Sequence, residues 1–277
     1  MQAVAYFILV CVVLLLASAW LWGPHAAREW RRARVRRQPF PARWREVLRR
    51  RMPLYATLPP DLQLQLKKLT QVFIAEKPFI GCRGLVVTEE MRVLVAAQAS
   101  LLQLNRRAGG YPNLREVLIY PGAFIVEHQR SDANGLVSEE RRVLSGQSWQ
   151  RGQVLLSWDD VLAGAASPGD GHNVVIHEFA HQLDQERGAA TGAPFLGRHD
   201  RLQRWAATLG AAFERLRQQV ANGEATLIDA YGASEPAEFF AVVSEVFFER
   251  PLALAAEQPA LYRELAGCYR VDPLSWR

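Results

Sequence analysis

Residues 173–186 read NVVIHEFAHQLDQE, and within them His177 and His181 flank Glu178. On a helix, residues four apart share a face, with Cβ atoms roughly 5–6 Å apart. Two imidazoles so placed reach a single divalent ion at about 2.0–2.1 Å each, the length of a zinc–nitrogen bond. Glu178, next to His177, points off that shared edge. It reaches a water beside the ion without taking a coordination position, which is the geometry of a general base at a metal. The apolar residues before the pair and Leu183 after it give the helix a side to bury, and burial keeps such a site dry. The rival reading is a helix whose two histidines serve packing. Against it, histidine is scarce, six in 277 residues, and buried polar groups need partners.

A catalytic zinc takes three protein ligands and leaves one position for water. A histidine six residues after His181 would supply the third in a metzincin, but that position is Arg187, and Asp184 stands where the glycine of that motif belongs. His172 lies five residues before His177, an awkward offset, and reads as a loop or cap histidine. His199 falls in a loop, and His25 and His128 are remote. The better donor is on a later helix, SEPAEFFAVVSEVFFE, which carries Glu235, Glu238, Glu245 and Glu249. Ser234 with Glu235-Pro236 marks the start of this helix. Its other residues are largely apolar, so a carboxylate there needs a partner, and a metal ion serves. Glu238 sits in the first turn, near the end open to solvent. Glu245 is seven residues on and on the same face, deeper, where it orients a ligand histidine; it also reads as an ordinary exposed helical glutamate. Asp184 is a further candidate for supporting a ligand or capping the helix. Tyr231, seven residues before Glu238, lies in the loop DAYGASEP. A phenol there reaches the oxyanion of a tetrahedral intermediate, although a loop tyrosine taken alone also reads as packing.

These groups have to be held by something. LPPDLQLQLKKLTQVFIAEK predicts a helix from a proline-marked start to about Glu76. Thr88 is a plausible N-cap for an apolar helix to about Asn105. From 115 to 158 short strands are expected in EVLIYP, AFIVEHQ and QVLLSWDD, with Asn134-Gly135 as a hairpin turn. Helices are expected near 171–186, 199–221, 235–249 and 257–269, and no internal repeat is visible. Residues 59–277 therefore read as one α+β domain, mainly helical with a small mixed sheet.

The N-terminal part differs in kind. Residues 3–22, AVAYFILVCVVLLLASAWLW, are nearly all apolar and uncharged. At 1.5 Å per residue such a helix covers roughly 30 Å, the hydrocarbon thickness of a bilayer. A cleaved secretion signal would carry positive charge before the apolar run; here REWRRARVRR follows it. A single transmembrane helix in residues 1–23 is expected, with the basic linker of residues 24–58 after it, containing short helical pieces such as PARWREVLRRRM. Positive charge stays on the cytoplasmic side, which orients the domain toward the cytoplasm from the inner membrane. The linker can also touch anionic headgroups. Residues 24–51 hold eleven arginines against Glu29 and Glu46, so the net +5 of the chain leaves residues 52–277 at about −4. That argues against nucleic acid as a partner of the domain. Cys11, Cys82 and Cys268 are far apart and in no CxxC pair, which excludes a disulfide framework and a cysteine zinc site.

GHNVVIHEFAHQLD followed by IDAYGASEPAEFFAVVSEVFF, with VLLSWDDVLAG upstream, resembles the Mlc titration factor A family of zinc peptidases, also called the glucose-regulated metallopeptidase family. The resemblance covers roughly residues 60–272. Its catalytic part is similar to the anthrax lethal factor protease. It implies a zincin-like domain in which His177, His181 and Glu238 hold one Zn²⁺, Glu178 is the general base and Tyr231 stabilises the oxyanion. It favours Glu238 over Glu235 or Glu245 as the ligand. It implies a peptide or protein substrate, with aminopeptidase-like activity in the best-known members, and no other cofactor. Those members also bind a transcriptional repressor, so a membrane-anchored regulator that sequesters a protein partner is the alternative function. The apolar run at 3–22 departs from those soluble members; the chemistry carries over, and the repressor partner does not follow from it.

Overall fold

The computed structural model describes residues 2–106, 110–131, 137–144, 146–149, 152–197 and 199–276. For residues 3–5, 8, 10–19, 21, 124–131, 137–144, 146–149, 187 and 199 the description covers the backbone alone. The chain divides into two compact units, Met1–Phe40 and Pro41–Arg277.

The first unit is one helix, α1 (Gln2–Arg37), which runs on through Pro24. The segment from 24 to 37 was expected as short helical pieces in a linker. Arginine and alanine are strong helix formers, and Glu29 pairs with Arg32 one turn on at 2.9 Å, so the helix continues. Among the described residues no helix is long and apolar enough to cross a membrane. Most side chains of the apolar run at 3–22 lie outside the described residues.

The second unit begins with α2 (Ala42–Arg51) and α3 (Leu54–Thr57), again in the stretch read as linker. Leu48, Met52 and Tyr55 are buried. Arg50 and Arg51 both bind Glu90, at 3.0 and 2.7 Å, and the Trp44 indole N–H donates to Glu89 at 2.7 Å. The helical piece expected in PARWREVLRRRM is α2. Helices α4 (Pro60–Glu76) and α5 (Glu89–Leu101) follow. The Thr88 hydroxyl accepts from the Met91 N–H and caps α5 as the sequence suggests. α5 is buried almost all round, between α4, α2, α6 and α7.

A four-stranded sheet has the order β1 (Phe79–Gly81), β2 (Glu116–Tyr120), β6 (Gln153–Ser157), β5 (Gly146–Trp149). The first three are parallel and β5 is antiparallel to β6. β3 (Phe124–Ser131) and β4 (Val137–Leu144) form a separate antiparallel pair. Asn134-Gly135, the expected turn between them, lies outside the described residues. QVLLSWDD is only partly strand. Ser157 ends β6, and its hydroxyl accepts from the Asp160 N–H, so WDD opens α6 (Trp158–Ala166). The acidic first turn suits a helix N-terminus and outweighs the strand reading of Trp158.

α7 (Val174–Asp184) carries the His-Glu-His segment. α8 (His199–Ala221), α9 (Pro236–Glu249), α10 (Pro251–Glu257) and α11 (Pro259–Tyr269) complete the unit. α7 packs on β5, β6, α5, α6 and α9. Its inner face is fixed by Phe179, whose ring meets Tyr111 at 4.7 Å and Phe73 at 5.6 Å, both edge-on. α9 is held from the other side by Trp205 of α8, which packs on Phe240, and by Tyr269 of α11, whose ring packs on Phe240, Phe247 and Phe248 and whose hydroxyl donates to Ser244. Phe179→Ala is expected to lower unfolding stability by about 3–5 kcal/mol through lost burial and the cavity left behind. Denaturant titration of the purified chain checks this; a loss under about 1 kcal/mol would remove Phe179 from the core that positions α7.

Candidate metal centre

α7 starts at Asn173, whose side-chain oxygen accepts from the Ile176 N–H at 3.1 Å. From that cap, His177 and His181 fall one turn apart on the side facing α9. Their Nε2 atoms are 3.3 Å apart. The first turn of α9 brings Glu238 against both: Oε2 lies 3.0 Å from Nε2 of His177 and 3.3 Å from Nε2 of His181. His177, His181 and Glu238 each offer one ligand atom, and these lie within 4.8 Å of one another. Glu235, the other candidate near this turn, ends its hydrogen-bonding role as the residue before the helix, its carbonyl accepting from the Phe239 N–H.

The chemistry of this donor set decides what fits. A carboxylate and two imidazole nitrogens aimed at one point are three lone-pair donors. Brought together in a largely buried place they repel unless protons or a cation intervene. Burial by itself would push the His177 ring down, yet the carboxylates of Glu238 and Glu245 overcome it and hold the ring well above its ordinary value. Burial likewise opposes ionisation of Glu238, and the two imidazoles hold its carboxyl well below the usual carboxylate range. Positive charge is what the site is built to take. Two nitrogens and one carboxylate oxygen are a set that suits a divalent transition ion.

The surrounding residues differ in what they do. Glu245 lies behind His177: its Oε1 is 2.8 Å from Nδ1. A carboxylate only accepts, so Nδ1 donates its proton to Glu245, and Nε2 is the ring atom left to give its lone pair to a cation at the centre. Glu178 is 4 % exposed, and its Oε2 has no hydrogen-bond partner among the described residues. Burial pushes its carboxyl up to about 7, against the pull of His177 and His181. Tyr231 sits in a short 3₁₀ turn, Ala230–Ala233, ordered by the Asp229 carboxylate accepting from the Tyr231 N–H at 2.7 Å. Its ring is 6.1 Å from that of His177 and 47 % exposed, so it borders the centre from the solvent side. Asp184 is placed otherwise than expected. Its carboxylate accepts from the N–H groups of Thr191, Gly192 and Ala193 at 2.8, 2.7 and 2.9 Å, and it orients neither histidine. It pins a loop. At Gly192 the φ of +75° and a Pro236 carbonyl that a Cβ would meet at 2.4 Å both require glycine, which seats the loop on the start of α9. His172 is exposed and outside the cluster; the side chains of His128 and His199 lie outside the described residues.

The profile of a family described as glucose-regulated metallo-peptidase M90 matches residues 27–270. The chain belongs to this family. It is 40 % identical over 267 residues to an uncharacterized protein of Synechocystis sp., covering 96 % of this chain and 97 % of that one. It is 36 % identical over 237 residues to the Mlc titration factor A of Serratia proteamaculans, covering 84 % and 88 %. To that of Pectobacterium atrosepticum it is 37 % identical over 227 residues, covering 81 % and 84 %. Membership in a metallopeptidase family agrees with a His-His-Glu group able to hold a metal ion.

The sequence reading assigned no role to two buried residues of this region, Asn173 and Glu249. Asn173 stands directly before the apolar run, a cap signal in itself. Glu249 follows Glu245 by one turn on the same face of α9. Glu249 is buried, accepts from Asn173 Nδ2 at 3.1 Å and from the Gly169 N–H at 2.9 Å. Burial drives its carboxyl up to about 7, those two donors resist, and Asp170 and Glu245 add to the rise. A carboxyl held above its unfolded value of about 4.3 binds its proton more tightly in the folded chain. It therefore lowers stability as pH rises between those two values. Glu249→Gln removes this burden, so its stability relative to the parent should rise from about pH 5 to about pH 8. Urea unfolding of both proteins across that range checks it; a constant difference would mean Glu249 ionises freely.

Proposed function

We propose that this chain is a zinc-dependent peptidase that hydrolyses peptide bonds with Glu178 as general base. The observation that carries the reading is the convergence of His177, His181 and Glu238 on one point, beside a buried carboxylate. Zinc bound there would supply a Lewis acid that acidifies water and polarises a carbonyl. Glu178 accepts the proton of the attacking water and returns it to the leaving amine. Its raised proton affinity suits both directions of that transfer. Tyr231 donates a hydrogen bond to the oxyanion as it forms. Glu245 keeps the proton on Nδ1 of His177, so that Nε2 serves as a ligand. The domain is zincin-like in this reading, its HExxH helix completed by a glutamate from a later helix. The lone acidic ligand is Glu238, and Asp184 contributes by holding the loop before α8.

We further propose that residues 3–22 anchor the chain in the inner membrane with the catalytic domain in the cytoplasm. The uncharged run, the arginines that follow it and the continuity of α1 support this. The name of the two relatives suggests a second reading, in which a regulatory protein is bound and sequestered.

Glu178→Gln separates the two. It should keep bound zinc and lower kcat on a peptide library by about 10²–10⁴, while a sequestering function would survive it. Tyr231→Phe should lower kcat by about 10²–10³ with little change in KM. Undiminished hydrolysis by Glu178→Gln would refute the base assignment.

A further inference from the structure

The end of α7 nearest His177 is tied to three other elements through one amide. Asn173 is almost fully buried. Its side-chain oxygen caps α7, as above. Its Nδ2 group donates to Gln98 Oε1 of α5 at 2.8 Å, to the Gly164 carbonyl of α6 at 3.2 Å, and to Glu249 Oε1 of α9 at 3.1 Å. Its backbone N–H donates to Glu245 Oε2. The other oxygen of Glu245 is the one that accepts from His177 Nδ1. Both oxygens of Glu245 are thereby fixed, one by the backbone at 173 and one by the imidazole four residues later.

The close approach leaves no slack. A Cβ at Gly164 would meet the Asn173 Cα at 3.0 Å, so α6 presses the cap from behind. A simple helix cap needs only an oxygen, and serine, threonine or aspartate would provide it. Aspartate has no donor, and serine or threonine has a single oxygen that would have to serve both the cap and Glu249, where Asn173 uses two separate atoms. The amide is the one side chain of this size that accepts from Ile176 and donates to Glu249 together.

We propose that Asn173 is a positioning residue for the metal centre: with Glu249 it fixes the backbone N–H that holds Glu245, and Glu245 in turn fixes the His177 ring. This rests on the metal-centre reading above. Groups that orient a ligand histidine are worth about 10–100-fold in metal affinity, so the same range applies here.

The test uses the full chain, with zinc affinity measured by competition against a chromophoric chelator and the thermal midpoint of the metal-free protein measured alongside. Asn173→Asp keeps the cap oxygen and the size but turns the donor into a second carboxylate facing Glu249. It should bind zinc about 10–100-fold more weakly. Combining it with Glu249→Gln reverses donor and acceptor and restores the original net charge; this pair should regain most of the lost affinity. A purely structural role would move the midpoint and leave the affinity alone. Parental zinc affinity in Asn173→Asp overturns the inference, as does a loss that the reversed pair does not recover. Should Asn173→Asp not fold, Asn173→Ser, which keeps a neutral cap oxygen and has no second polar atom at the place of Nδ2, is read by the same criteria. Failure of the parent chain to bind zinc is a distinct result: it removes the metal centre itself, and this inference with it.

Discussion

Three lone-pair donors cannot share one buried point without a positive charge between them. The Nε2 atoms of His177 and His181 and a carboxylate oxygen of Glu238 are held in that arrangement, and much of the rest of the unit serves to hold them there. α7 and α9 are among the most deeply buried helices of the chain. Neither can rotate to release its polar groups into water without tearing Phe179 or Phe240 from an aromatic cluster. The packing of apolar faces therefore imposes an electrostatic demand that a divalent cation can answer.

The polar groups around the centre are graded by what they face. Glu245 has hydrogen-bond donors at both oxygens and works as a fixed acceptor. Glu178 is buried with one oxygen unpartnered among the described residues, the condition in which a carboxyl exchanges a proton with a reactant. Glu249 lies further back, between Gly169 and Asn173, where its burial is a cost the apolar contacts of α9 offset. The same side-chain type thus has three different surroundings within one helix pair.

How much of this could be read beforehand depends on the range of the interaction. The histidine pair and Glu178 depend on helical periodicity alone, which spacing reports directly. Glu238 is a long-range partner; its place in the first turn of an apolar helix made it a candidate, and the resemblance to a peptidase family selected it over Glu235. Asp184 was read from proximity to the motif, but its carboxylate turns to three N–H groups of a loop, a contact no local pattern reveals. α2 was legible as a short helical piece although five of its ten residues are arginines; what the linker reading did not contain is the stripe with Leu48 that docks it on α5. Trp158 was assigned to a strand because apolar runs carry no marker of where a strand ends, and only the Ser157 cap discloses it. Asn173 carried a cap signal; its donor side, which matters more, is visible only once α5, α6 and α9 are assembled around it.

X-ray absorption at the zinc edge of the metal-loaded chain tests the central claim most directly. The account predicts two imidazole nitrogens and one carboxylate oxygen at about 2.0–2.2 Å, with one imidazole lost in His181→Ala. A zinc ion surrounded by oxygen or sulfur ligands alone, unaltered by that substitution, would contradict it.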